Sequence, residues 1–152
     1  MHDTNTRSKG QVFILKKLPK YIRNNILLAI QMIKKKTLVL GASPNPARYS
    51  YIAVLRLIAQ GHPVVALGIN MGSIGSSMIE TEKKTYNDID TVTLYLNPTH
   101  QKEYYTYILA LAPKRILFNP GTENDELMEL ANKQGIRTQE ACTLVLLSTG
   151  QY

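Results

Sequence analysis

The residues that most suggest chemistry lie in "TLVLGASPNPARYSY", residues 37–51. An apolar run stops at Gly41 and gives way to Ala42, Ser43, Pro44, Asn45 and Pro46, after which a helical pattern opens near Arg48. A strand that turns into a helix through small residues leaves backbone N–H groups facing outward, and the helix adds the positive end of its dipole. That combination suits a phosphate or pyrophosphate. Arg48, at the helix start, brings a cation able to make a charge-assisted bond to the same anion, and Ser50 stands in the same first turn. An unliganded strand-to-helix turn would use the same residue types, because Gly, Ser, Asn and Pro are what tight turns require.

Parts for catalysis are sparse. Of the three histidines, His2 is near the start of the chain, His62 precedes a strand and only His100 begins a helix beside a ligand-facing turn. Asp88, Asp90 and the run from Glu123 offer carboxylates, yet acids at a helix start are favoured by the dipole alone. There is no Glu-His or paired-His spacing of the kind that binds zinc. The dinucleotide fingerprint G-x-G-x-x-G is absent, since Gly41 is followed by Ala42, Ser43, Pro44 and Asn45. The acid that would hold a ribose 2′-hydroxyl after the second strand is missing too, because that turn reads Leu67, Gly68, Ile69, Asn70. A nicotinamide dehydrogenase is disfavoured, and a binding module is preferred to an enzyme.

The elements that must carry these residues alternate regularly. "TLVLG" predicts a buried strand, followed by a helix with Ile52, Leu55, Ile58 and Ala59 on one side that stops at Gly61. "PVVAL" is a second buried run; a Gly-rich turn and the pair Met78 and Ile79, read as a brief edge strand, come next. "TVTLYL" predicts another strand, and Asn97 and Pro98 supply the N-cap and first-turn proline of a helix with Tyr104, Ile108, Leu111 and Ala112 on one face. "RILF" is a strand, Thr122 with Asp125 reads as a capping box ahead of Leu127, Leu130 and Ala131, and "GIRTQEA" is the last strand. Apolar strands alternating with helices predict a Rossmann-like, doubly wound parallel sheet of five to six strands with helices on both faces. In that topology "TLVLG" and "TVTLYL" are neighbours where strand order reverses, so the Gly41–Asn45 turn and the Asn97–Pro98 turn face one crevice.

The 152-residue chain has no apolar span of transmembrane length, and its single cysteine, Cys142, cannot form an internal disulfide, so a reducing cytoplasm is the expected home. Its net charge of +7 is unevenly spread: residues 1–36 hold nine basic residues and one acid, giving +8, while residues 37–152 hold nine basic and ten acidic, giving −1. Residues 1–33 therefore read as a basic extension, either a partly helical arm or a segment outside the native fold, with Met32 as a second possible start, and residues 34–152 as the domain proper. Within the extension Tyr21, Ile22, Ile26, Ala29, Ile30 and Ile33 fall at helical spacing. It permits a membrane-surface helix or a nucleic-acid-binding arm, although nucleic acid is disfavoured because the domain itself is nearly neutral.

"VLGASPNPARYS", the Asn97–Pro98 pair, "FNPGTEN" and the late "EACTLV", in this order, resemble the small bacterial CoA-binding domain proteins, relatives of the nucleotide-binding half of the succinyl-CoA synthetase alpha subunit. The resemblance spans residues 34–152. It implies coenzyme A, acyl-CoA or a related adenine nucleotide as ligand, with phosphates near Ser43, Asn45 and Arg48, adenine near Gly68, Ile69 and Asn70, and Asn119, Pro120 and Gly121 as further binding residues. Members often carry Val-Asn-Pro where this chain has Gly68, Ile69 and Asn70, and Gln where it has Asn119. Cys142, expected at the same sheet edge, would face the thiol end of CoA, which leaves an acyl-CoA-handling enzyme, or a subunit of one, as the alternative. A homodimer or a partner enzyme is compatible with this reading.

Overall fold

The computed structural model of the protein describes residues 14–152, and the chain divides into two units between Lys34 and Lys35. In the first, helix α1 (Lys20–Ile33) follows a helical turn over residues 14–17, and the expectations that fall on residues 1–13 lie outside the described residues.

The second unit is built on a seven-stranded sheet. Its strands are β1 (Thr37–Leu40), β2 (Val64–Leu67), β3 (Ser73–Ile74), β4 (Ser77–Glu80), β5 (Thr91–Leu94), β6 (Arg115–Phe118) and β7 (Arg137–Glu140), in the order β3-β4-β2-β1-β5-β6-β7. All pairings are parallel except the β3–β4 hairpin. The sheet therefore has more strands than the five to six expected. The surplus comes from the Gly-rich segment, where Ser73 and Ile74 pair with Met78 and Ser77. Ile79 lies opposite Ala66 of β2, so the strand holding Met78 and Ile79 is not the sheet edge; β3 is.

Strands β1, β5 and β6 are buried at every position, as a sheet covered on both faces requires. Alternate residues serve opposite layers. Leu38, Leu40, Val92, Leu94, Ile116 and Phe118 pack with Ile108 and Leu111 of α4 (Tyr105–Leu111) and with Leu127 and Ala131 of α5 (Asp125–Lys133). Val39 and Ala66 pack on the other face with Val54 and Leu57 of α2 (Tyr49–Ala59) and Leu147 of α6 (Thr143–Ser148). Helix α6 is not among the elements expected from the sequence.

Three local expectations are corrected. Helix α2 buries Ser50, Ala53, Val54 and Leu57, not the stripe through Leu55 and Ala59; "YSYIAVLRLIA" is apolar nearly all round, so its pattern does not single out a face. Asn124, not Thr122, caps α5, its Oδ1 accepting from the Leu127 N–H at 3.2 Å, while the Thr122 hydroxyl donates to the Asn119 carbonyl at 2.8 Å. Ala112 is exposed as the left-handed C-cap of α4 and does not continue its buried face. The Asn97 cap stands: its Oδ1 accepts from the His100 N–H at 3.0 Å at the start of α3 (Pro98–Gln101), which passes through a 3-10 turn (Lys102–Tyr104) into α4.

Candidate functional site

β1 is the switch point. The chain leaves it toward β2 on one side and β5 pairs on the other, so the loops after β1 and β5 diverge at the carboxyl edge and open a crevice between them. A cleft of about 760 Å³ lies there, within the range of small-molecule sites.

The first wall is the turn after β1. Gly41 and Ala42 both donate N–H bonds to the Leu67 carbonyl, at 2.9 and 3.0 Å. Gly41 has φ +94°, and a Cβ there would stand 2.9 Å from the Tyr95 backbone carbon, so conformation and space both call for glycine. Gly68 is stricter in space, because its Cβ would fall 2.1 Å from the Ala42 carbonyl oxygen. These two glycines let the loops after β1, β2 and β5 approach to backbone contact.

The turn is also internally braced. The Asn45 N–H donates to Ser43 Oγ at 3.2 Å, and Asn45 Oδ1 accepts from the Ala47 N–H at 2.9 Å. Arg48 takes the N-cap position of α2 without a side-chain capping bond, so the helix start keeps N–H groups that no cap satisfies. Arg48 is exposed and lines the cleft.

The second wall is held from behind by a buried amide network. Gln101 is fully buried; its Nε2 donates to the Leu96 and Thr122 carbonyls, both at 2.8 Å, and its Oε1 accepts from Asn124 Nδ2 at 2.8 Å. One side chain thus ties the loop after β5 to the loop after β6. Asn119 does similar work deeper down. Its Nδ2 donates to Thr93 Oγ1 at 2.7 Å and to the Leu94 carbonyl at 2.8 Å, and its Oδ1 accepts from the Thr143 N–H at 2.8 Å. β5, β6 and the start of α6 are locked together by that amide.

Of the residues singled out in the sequence, Gly41, Ala42, Ser43, Arg48, Ser50, Gly68, Ile69, Asn70, Asn97, Pro120 and Gly121 line this one cleft. Asn45, Pro98, Asn119 and Cys142 do not. Asn45 shapes the turn, Pro98 opens α3, Asn119 is spent on the clamp, and Cys142 is a half-buried free thiol in front of α6. Sequence reasoning overlooks Tyr49, Tyr95, Leu96, Glu103, Tyr104 and Thr122 as lining residues. The Tyr95 hydroxyl is buried without a hydrogen-bond partner, beside Thr93 and Thr143, whose hydroxyls bond each other at 2.7 Å. Burial is the main force pushing the Tyr95 phenol well above its ordinary range, and burial, then the nearby Glu103 carboxylate, raise that of Tyr104. Both present neutral rings to the cleft. Tyr95 follows the same strand end as Asn97, so the switch-point rule that singles out Asn97 could have found it.

The carboxylates that attract notice have local uses. Asp88 pairs with Lys36 at 3.0 Å, Asp90 accepts from the Thr91 hydroxyl at 2.8 Å, Glu123 accepts from the Gly121 N–H at 2.9 Å and Glu129 pairs with Lys133 at 2.8 Å. Among the described residues no group of three His, Cys, Asp or Glu side chains is placed to hold a metal ion.

A family model for the CoA binding domain matches residues 35–148, which is most of the chain and all of the sheet. The chain belongs to the CoA-binding domain family. This CoA-binding domain protein is similar to a crystal structure of an uncharacterized protein, with 47% identity over 78% of this chain and 98% of that one and a TM-score of 0.77. It is also similar to the Thermus thermophilus protein cell-free ID.343, at 18% identity over 84% of this chain and 98% of that one, with a TM-score of 0.70. A conserved hypothetical protein from Pyrococcus furiosus matches at 25% identity over 74% and 97% of the two chains, with a TM-score of 0.64. No curated protein matches the sequence. The fold of this CoA-binding domain protein is Rossmann-like α/β, and no helix among the described residues is long and apolar enough to cross a membrane.

Proposed function

We propose that the protein binds coenzyme A, free or acylated, in the cleft at the carboxyl edge of the sheet. The observation that carries this reading is the convergence, in a member of the CoA-binding domain family, of the Gly41–Asn45 turn, the uncapped start of α2 and the exposed Arg48 on one cleft of about 760 Å³. The diphosphate lies against the turn and the helix start, where N–H groups and the dipole meet it, with Arg48 as counter-ion. Gly68 to Asn70 bound the other end of the same wall, and the exposed Tyr49 and Ile69 offer apolar surface for the adenine ring.

The cleft has no matched acid–base pair. His100 and Glu103 line it, but no nucleophile stands among its lining residues with a base at hydrogen-bond distance. Cys142 is outside the lining, which weakens an acyl-transfer role for that thiol. The reading is a binding module.

Calorimetric titration of the full chain with CoA and, separately, NAD tests it. One-to-one binding of CoA at least as tight as NAD is expected, because no acid after β2 awaits the 2′-hydroxyl of the adenosine ribose. Clear preference for NAD, or hydride transfer to any substrate, overturns it.

A further inference from the structure

Helix α1 belongs to the unit apart from the sheet domain, and none of the preceding account uses it. Ile22, Ile26, Ala29 and Ile33 recur at i, i+4, i+7 and i+11 and so share one face; Tyr21 and Leu28, seven residues apart, flank it beyond Asn25. Tyr21 is 69% exposed, Leu28 61% and Ile33 67%, so one flank of this face and its C-terminal end stand in water. Lys20, Asn24 and the exposed Leu27 occupy the opposite side, with Arg23 at the border. There is no acid from Ile14 to Lys36, and Lys16 and Lys17 stand one turn ahead of the helix.

An apolar face on a helix whose only charged side chains are cations is complementary to one kind of surface, a bilayer with anionic headgroups. The apolar side chains enter the acyl boundary while Arg23, at the border, reaches the headgroup phosphates along its aliphatic stem and Lys20 adds its attraction to the anionic surface. A nucleic acid is a poorer match, since phosphate contacts need cations alone, and this helix has two cations among its 14 residues and gives most other positions to apolar side chains. A second copy of the helix is poorer still, because the acid-free borders would bring like charges together. We infer that α1 is an interfacial helix that docks the CoA-binding domain on an anionic lipid surface.

The test is flotation of the full chain with vesicles of phosphatidylglycerol and phosphatidylcholine, against vesicles of phosphatidylcholine alone. Binding to the anionic vesicles only, weakened by salt, is expected. Lys20→Gln and Arg23→Gln should each lower the partition coefficient about fivefold, as expected for one cation near a charged surface. Leu28→Ser with Ile33→Ser, both at exposed positions, should abolish flotation while leaving the thermal unfolding of the sheet domain unchanged. Failure to float overturns the inference. So does vesicle-free dimerisation that the Leu28→Ser, Ile33→Ser chain loses, which would make a second copy the occupant. Retention on polyuridine that survives those two substitutions, with no flotation, would assign the cations to RNA instead.

Discussion

The two edges of the sheet are built from opposite materials. At the carboxyl edge, Gly41, Ala42, Ser43 and Gly68 bring bare backbone to a cleft with one exposed cation, Arg48. At the amino edge, large side chains fill the space. The Tyr152 hydroxyl bonds Thr37 Oγ1 at 2.5 Å, its ring lies 4.7 Å from the Arg115 guanidinium carbon and meets the His62 ring edge-on at 4.9 Å, and its carbonyl accepts from Lys35 Nζ at 2.7 Å. Arg115 is buried, donates to Thr91 Oγ1 at 3.1 Å and leaves one guanidinium nitrogen without a partner. One edge leaves backbone and Arg48 facing a cleft; the other packs most of its polar side chains within the fold. Substitutions at the two edges should therefore separate binding from stability.

The largest effect is expected where the open edge depends on backbone contact. Gly68→Ala puts a methyl 2.1 Å from the Ala42 carbonyl oxygen, and the loops after β1 and β2 must part, destabilising the fold by about 3 kcal/mol. Urea unfolding should show that loss together with loss of CoA binding; native stability in this variant would mean that the two loops are not held as described.

Arg48→Ala should do the reverse. Removing an exposed cation that makes no capping bond is expected to weaken CoA by about 2 kcal/mol, roughly thirtyfold, and to change unfolding by less than about 0.5 kcal/mol. Calorimetry and denaturation on the same preparation measure both numbers, and unaltered affinity would remove Arg48 from the site.

A smaller and opposite-edge effect is expected for Tyr152→Phe, which removes the hydroxyl that bonds Thr37 beside Thr91 and Arg115. Stability falls by about 1 kcal/mol and CoA affinity does not move. The same variant sharpens the alkaline behaviour. Burial is the leading cause that raises the phenols of Tyr86, Tyr95, Tyr104, Tyr105, Tyr107 and Tyr152. The folded chain holds those protons to higher pH than the unfolded chain does, so stability is full below the ordinary phenol range and falls once the pH passes about 10. Denaturation midpoints across that range should decline, and less steeply for Tyr152→Phe.

How much of this is legible in the sequence follows from where the determinants lie. β1, β5 and β6 announce themselves because a strand buried on both faces is apolar without interruption, and the turn after β1 because Gly, Pro and Asn are local signals. The β3–β4 hairpin is hidden: Ser73 and Ser77 carry no strand preference, and their pairing is fixed only by the contact of Ile79 with β2. Asn119 reads as a ligand contact from its motif, and the buried Thr93 and Thr143 partners that occupy both ends of its amide are 26 and 24 residues away. Gln101 offers no signal at all, since its partners belong to two other loops. The tyrosines at 49, 95 and 104 meet at the cleft only through the crossover at β1. Local chemistry and the β1–β5 neighbourhood are readable, whereas side-chain partners brought in from distant loops are not.

The most direct measurement of the proposed role is native mass spectrometry of the full chain after incubation with equimolar CoA and NAD. A single adduct with the mass of CoA is predicted, retained by Tyr152→Phe and depleted in Arg48→Ala. No CoA adduct on the unaltered chain, or an adduct that Arg48→Ala leaves intact while Tyr152→Phe loses it, would contradict the assignment of the ligand to the carboxyl edge.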